Sequence, residues 1–378
     1  MGEERKIPMV DLVGQYHRLK DEIDEAIFTT IENSSFINGP MVKTFGANLA
    51  AYLDVEYVVP CGNCTDALQI ALMRLNLQKG DEVIVPAFTY AAAAEAAVLL
   101  GLVPVLVDVD PRTYNISPEA IADAVTDRTR VIIAVHLFGQ SCDMQPIMEL
   151  AKEKGLWVIE DNAQSLGAEY TFSDGTVKKT GTIGDIGALS FFPTKILGGY
   201  GDGGAVIVHD AELAEEVRMT TVHGQNIKYH HQIIGCNSRL DTLQAAILNA
   251  KLKHIEEFIA ARQAAACIYD NALKDLDGIL LPSRLPASSH VYHQYTIQVL
   301  AGRRDALQTY LKEQGVPALI YYPVPMQEQI AFKGHARISG DLSVAKRLSQ
   351  NVLSLPIHTE MEEETQEYII KKIKKFFA

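Results

Sequence analysis

Lysine becomes a carbonyl nucleophile only when water is taken from its amine, and one lysine here has a setting that suits this. Lys195 lies within Gly184 to Gly204, GDIGALSFFPTKILGGYGDGG, flanked by Phe191, Phe192, Pro193, Ile196 and Leu197. Apolar neighbours lower an amine's pKa and free its lone pair for attack. Seven glycines in that span are too many for a helix or packed strand, so the backbone must approach something closely there. On these residues alone, a lysine snorkelling to solvent from an exposed loop fits equally well.

Other residues able to do chemistry stand where short apolar runs end. Glu160-Asp161-Asn162-Ala163-Gln164-Ser165 follows Trp157-Val158-Ile159. Two carboxylates closing a buried strand must find partners. Strand alternation sends them to opposite faces, so only one can meet a ligand. Cys61-Gly62-Asn63-Cys64-Thr65-Asp66 opens a helix, and its N–H groups suit a phosphate. A plain helix cap and a CxxC redox or zinc pair are the competing readings, the latter without a second pair or the expected histidine spacing. Phe88 and Tyr90 end another run; either can stack on a planar ring or fill the core. His223 to Arg239, HGQNIKYHHQIIGCNSR, reads as a substrate-facing loop or subunit contact. A metal site from His223, His230, His231 and Cys236 lacks the usual ligand spacing.

The elements that must position these residues follow from periodicity. An amphipathic helix spans Val42 to Leu53, with Phe45, Leu49 and Leu53 at helical spacing. β-branched runs at 57–59, 83–85, 105–107, 131–133 and 157–159 then alternate with helical stretches. That alternation means α/β: a largely parallel sheet with helices on both faces and ligands at the strands' carboxyl ends. Thr171 to Thr182 reads as a turn or hairpin, and 205–208 as the next strand. From Asp241 to Leu276 the apolar period runs unbroken, predicting one long helix that bridges domains. After Pro282 and Pro286 a smaller α+β unit follows, with a strand at Tyr295 to Leu300, a helix at Arg304 to Gln314 and a last helix at Glu363 to Phe377.

Composition narrows the function classes. The chain has 378 residues, suiting two domains, and a net charge of -13, which argues against a nucleic-acid binder. No apolar run reaches the ~18 residues of a membrane span. The start, MGEERKIPMVDL, lacks a signal peptide's apolar core, and Lys6 stands where a myristoylation signal needs Ser or Thr. Five scattered cysteines fit free thiols in a reducing cytoplasm. Neither nucleotide-binding glycine loop, G-x-x-x-x-G-K-[ST] or G-x-G-x-x-G, follows the first strand.

A lysine, a strand-end carboxylate, a phosphate cradle and a stacking aromatic together match the needs of pyridoxal 5'-phosphate. The ordered motifs FINGP, GNCTDAL, GDEVIVPAFTY, PVLVDVDPRTYNI, VHLFGQSCDM, VIEDNAQSLGA, SFFPTK, GDGGAV, GCNSRLDTLQAAIL and YYPVP span nearly the whole chain. In these the chain resembles the DegT/DnrJ/EryC1/StrS family of sugar aminotransferases. The resemblance implies fold type I, with a mostly parallel seven-stranded sheet in a large domain (1–255) and a smaller α+β domain (256–378). It implies that Lys195 carries the cofactor covalently, that Asp161 pairs with its pyridinium nitrogen and that Gln164 bonds its phenolic oxygen. Tyr90 would stack on the ring. Thr65, the backbone at Cys64 and Asp66, and Ser190 would hold the phosphate, with Asn237 reaching it from the neighbouring subunit of a homodimer. L-glutamate is the implied amino donor and a nucleotide-linked keto sugar the acceptor. YHHQIIGCNSRLDTLQAAIL and PRTYN look closest to members acting at a 3-keto position of UDP- or dTDP-sugars for surface polysaccharide, including lipopolysaccharide, with C4 amination the alternative. Lys228, His230 and Arg239 are candidates for the sugar's carboxylate or diphosphate. Tyr322 stands in the motif where members carry HYP and this chain carries Tyr321-Tyr322-Pro323; Cys64 replaces a common glycine. A side branch that dehydrates instead replaces the lysine with histidine, which Lys195 argues against. A non-catalytic regulator on the same fold is the remaining class, and the retained lysine and aspartate speak against it.

Overall fold

The β-branched runs become strands, and all but the half-buried edge strand Tyr57–Cys61 are buried on both faces, as a sheet covered by helices requires. In the computed structural model, which describes residues 7–378, eight strands form the main sheet; the readings made for Met1 to Lys6 lie outside the described residues. Named by first residue, the strand order is 57-204-186-157-129-82-103-337. Among these eight, Gly204–Val208 runs antiparallel to both neighbours and the others are mutually parallel.

Seven strands were expected and an eighth is present. Arg337–Ile338 pairs with Val105 and Leu106 at the sheet edge, and two residues are too short for periodicity to reveal. What holds them is charge: Arg337 grips the fully buried Glu82 carboxylate at 3.1 and 3.0 Å. The predicted long helix is also two, Thr242–Leu252 and Ile255–Leu273. No proline or glycine marks the break. At the turn His254 meets Glu22 of the N-terminal helix Lys20–Glu32 at 2.8 Å, a tertiary contact that the unbroken apolar period hides.

Ile255–Leu273 spans two cores. Its Ile255 and Ile259 pack with Phe45, Leu49 and Leu248, and its Ala266, Tyr269 and Leu273 with Tyr295, Ile297, Ile369 and Ile373. That second core is closed by a three-stranded sheet, in the order Ile279–Leu280, Tyr295–Val299, Val352–Leu355, and by the helices Arg304–Glu313 and Glu363–Phe377. Residues beyond 255 also return to the main sheet, where Met326, Leu342 and Leu348 lie in a third cluster with Leu68 and Val85.

Candidate active site

The carboxyl end of the parallel sheet gathers the predicted residues. Lys195 follows strand Ile186–Ser190 in a loop closed by its own backbone: Phe191 N–H donates to Gly203 O at 2.7 Å, Gly199 N–H to Phe191 O at 2.8 Å and Lys195 N–H to Phe192 O at 2.8 Å. Phe191, Ile196 and Leu197 are the buried anchors; Phe192, expected among the desolvating neighbours, is 50% exposed. Lys195 is half-buried as a residue, yet its amine is surrounded by protein, and that burial draws its pKa down while its neighbours Cys64 and Asp161 partly restore it. The glycines serve the chain's approach to itself. An added Cβ at Gly198 would stand 2.2 Å from the Pro193 carbonyl oxygen, and one at Gly204 would stand 2.4 Å from the Asn63 backbone carbon.

The two strand-end carboxylates separate as alternation demands. Glu160 turns inward, where its oxygens accept from Gly181, Ile183 and Gly184 N–H at 2.8, 2.6 and 2.6 Å and from His136 Nε2 at 2.7 Å. His136 Nδ1 accepts the Cys142 N–H at 3.0 Å, so its ring is the neutral tautomer donating to Glu160. Asp161 turns to the opposite face, 7% exposed. Among the described residues its carboxylate accepts two hydrogen bonds, both on Oδ1, from Ala163 N–H at 3.1 Å and Cys64 Sγ at 3.7 Å, which leaves Oδ2 uncommitted. Burial raises its pKa, with Ala163 N–H and Lys195 pulling the other way.

Gln164 is fixed at both ends: Oε1 accepts from Phe138 N–H at 2.8 Å and Nε2 donates to the Tyr322 hydroxyl at 3.1 Å. The Phe138 loop is itself clamped by buried Asn115, which accepts from Leu137 N–H at 2.8 Å and donates to the Gln140 and Ser141 carbonyls. Asn115 and His136 had no assigned role; for His136 the signal was a polar residue inside the apolar run VIIAVHLF, whereas the polar stretch DPRTYNIS gave none for Asn115. Phe88 is core, in edge contact with Phe138, whereas Tyr90 is 62% exposed with its ring 6.1 Å from that of Tyr322. Thr89, Tyr90 and Tyr322 border a mostly apolar cavity of about 410 Å³.

Strand register brings the phosphate candidates together, since Cys61, Gly204 and Ser190 lie side by side across three strands. Helix Cys64–Met73 begins there, capped by Asn63, whose Oδ1 accepts the Asp66 N–H at 2.8 Å. That cap occupies the Asp66 N–H proposed for phosphate, so Cys64 and Thr65 supply the helix's free donors. Ser238, unpredicted, links the Gly62 N–H at 2.9 Å to the Asp66 carboxylate at 2.6 Å, which seats exposed Asn237 and half-buried Arg239 beside the helix start. Lys228 and His230 lie instead on an exposed hairpin, Gln225–Ile227 with His230–His231, and Lys228 sits over the Tyr229 ring at 5.2 Å. Cys61 and Cys64 bond different partners, and all five cysteines are free.

Buried Lys251 reaches the far side of the Lys195 loop, donating to Gly198 O at 2.5 Å with its amine 5.2 Å from the Tyr200 ring centre. Burial pulls it down to about 8. The unfolded chain, with an ordinary lysine near ~10.4, therefore binds more protons between those values. Stability should rise over that window, by on the order of 3 kcal/mol, and stay flat below it. Urea unfolding of wild type and Lys251→Met from pH 7 to pH 10 checks this: the rise belongs to wild type, and parallel curves would refute it.

The residues fit pyridoxal phosphate: an enclosed amine of lowered pKa, a buried carboxylate with one uncommitted oxygen, an oriented amide and a helix start with free N–H groups. The model of the DegT/DnrJ/EryC1/StrS aminotransferase family matches residues 17–374. The chain belongs to that family. As such it is a pyridoxal-phosphate-dependent aminotransferase. The UDP-2-acetamido-2-deoxy-3-oxo-D-glucuronate aminotransferase of Pseudomonas aeruginosa is 44% identical over 356 residues, covering 94% of this chain and 96% of that one. A pleiotropic regulatory protein of Geobacillus stearothermophilus is 43% identical over 373 residues, 98% of each. Among solved structures, S. venezuelae DesV in complex with a ketimine intermediate is 38% identical, with a TM-score of 0.94 over 99% of both chains. Among the described residues of this family member, no helix is long and apolar enough to cross a membrane.

Proposed function

We propose that this aminotransferase moves the amino group of L-glutamate to the 3-keto carbon of a UDP- or dTDP-linked sugar. The observation that carries the site chemistry is the enclosed Lys195 amine in the field of Asp161, whose Oδ2 is uncommitted. Support for the acceptor comes from the 3-oxo sugar in the name of the Pseudomonas aeruginosa relative. When bound, pyridoxal phosphate supplies an electron sink for charge developing at the substrate carbon that bears nitrogen. The residues around it act as follows. Lys195 anchors the cofactor, takes the proton from the donor's Cα and later delivers one to the sugar's C3; a lowered pKa lets the same amine do both. Asp161 Oδ2 holds a proton on the ring nitrogen, and Gln164, locked by Phe138 and Tyr322, donates to the ring oxygen. The free N–H groups of Cys64 and Thr65, with the Ser190 hydroxyl, hold the phosphate. Tyr90 covers the ring, and Tyr322 borders the space left for substrate.

A homodimer is part of this reading, as are the division at 255/256, a cytoplasmic location and a role in surface polysaccharide. Exposed Phe36, Ile37, Phe192, Tyr200, Ile227 and Tyr229 are apolar surface of the kind subunits cover. Asn237, Lys228, His230 and Arg239 then serve the partner's site. Mixing inactive Lys195→Ala with inactive Arg239→Ala subunits should restore activity, because one site of each mixed dimer is intact. Failure of the mixture, with dimers confirmed by sedimentation, would place Arg239 in its own subunit's site.

The deciding experiment for the function is spectroscopic. Purified protein should bind pyridoxal phosphate with a visible absorbance band that L-glutamate removes. Nucleotide-linked 3-keto sugars should restore the band and 4-keto sugars should not. A colourless protein indifferent to added cofactor would instead favour the regulator class, which the name of the Geobacillus stearothermophilus relative keeps in view.

A further inference from the structure

Cys61 and Cys64 look alike in the sequence but do different work. Cys61 Sγ donates locally, to the Asn63 carbonyl at 3.4 Å. Cys64, in the first turn of its helix, sends its Sγ across to Asp161 Oδ1 at 3.7 Å, within a sulfur hydrogen bond. Both side chains in that contact are more than nine-tenths buried. Burial first, and the neighbouring Asp161 charge second, push the Cys64 thiol well above its usual value. It is therefore an S–H donor, with no anionic form to act as nucleophile or metal ligand.

Asp161 thus has two donors on one oxygen, the Ala163 N–H and the Cys64 S–H, and none on the other. A carboxylate held from one side keeps a fixed rotation, and each donor on Oδ1 lowers its affinity for a proton. We propose that Cys64 is a positioning residue for Asp161: its thiol fixes the carboxylate's rotation and sets its basicity. The proposal rests on the reading that Asp161 meets the cofactor's ring nitrogen. The other titratable groups in the field of Asp161 are Lys195, His136 and Tyr322, and Lys195 in turn faces Cys64 and His293, whose imidazole is held neutral by burial and the Lys195 charge. His136 is the neutral tautomer, and burial raises the Tyr322 phenol far above neutrality, so Lys195 is where a change in Asp161 basicity registers.

Two readouts test this on the holoenzyme. The first is the infrared S–H stretch of Cys64, assigned by its loss in Cys64→Ser. It should lie below that of exposed Cys267 and move toward it in Asp161→Ala. The second is the pH midpoint of the bound cofactor's visible absorbance. Loss of the donor in Cys64→Ala leaves Asp161 more basic and its charge less satisfied, which favours the proton on the Lys195 side. The midpoint should rise by roughly half a pH unit, given a bond weaker than an ordinary hydrogen bond. Cys64→Ser, which keeps a donor, should return most of the shift, and Cys61→Ala should cause none. Cys64→Gly is the second donorless variant should Cys64→Ala fail to fold. Equal midpoints for donorless and serine variants, or a Cys64 S–H band matching a free thiol, would overturn the proposal. Wild-type protein that takes up no pyridoxal phosphate would overturn the functional reading instead, while the S–H band would still decide the hydrogen bond.

Discussion

Lys195→Ala should fold, bind pyridoxal phosphate weakly, and turn over about ten-thousand-fold more slowly than wild type. The change removes both the covalent anchor and the group that moves the proton. It costs little stability, because Phe191, Ile196 and Leu197 anchor the loop and the Lys195 side chain makes no hydrogen bond among the described residues. Borohydride should fix the cofactor to a peptide containing residue 195 in wild type and leave the variant unlabelled. Small exogenous amines should recover part of the proton-transfer rate, since what is missing is a base and no scaffold. A variant retaining more than about a tenth of wild-type turnover would move the catalytic role elsewhere.

The neighbouring carboxylates should give opposite phenotypes. Glu160→Ala removes the acceptor of three backbone N–H groups and of His136, all buried, and should lower stability by about 3–5 kcal/mol. Asp161→Ala should instead spare or slightly raise the stability of the apoprotein, because it removes a buried carboxylate whose Oδ2 is uncommitted, and it should abolish turnover. Glu160 carries a pH signature as well. Burial alone would raise its pKa, but the His136 and backbone bonds hold it below its usual 4.5. Its contribution is then complete above that pH and is lost as pH falls toward the folded value. Urea melts of the apoproteins at pH 7 and pH 4 check both statements. Equal destabilisation by the two alanine variants would refute the division of labour.

That division was legible in the sequence, because alternation along Trp157–Asp161 requires the two carboxylates to face opposite ways. The lysine loop, the helix opening at Cys64 and the strand ends were legible for the same reason: each is a local pattern of residue types. Reading failed where distance in sequence was involved. Nothing local links Cys64 to Asp161, Ser238 to Asp66, or His254 to Glu22, and these pairs fix a carboxylate, a helix start and a helix break. The glycines were recognised as a close-approach signal, but what they approach is the chain's own backbone at Pro193 and Asn63, which composition does not specify. Phe192 shows the limit of composition from the other side, since an aromatic beside a buried lysine can still face outward.

The strand Arg337–Ile338 carries one more consequence. A segment from far down the chain closes the edge of the first sheet and supplies a cation to Glu82. Cutting the gene near codon 255 would therefore leave Glu82 with Arg128 alone as its ion-pair partner, and Val103–Val107 as an open edge ready to pair with other chains. The protein is sewn along that seam: its two parts can diverge residue by residue, but they cannot be shuffled as separate modules.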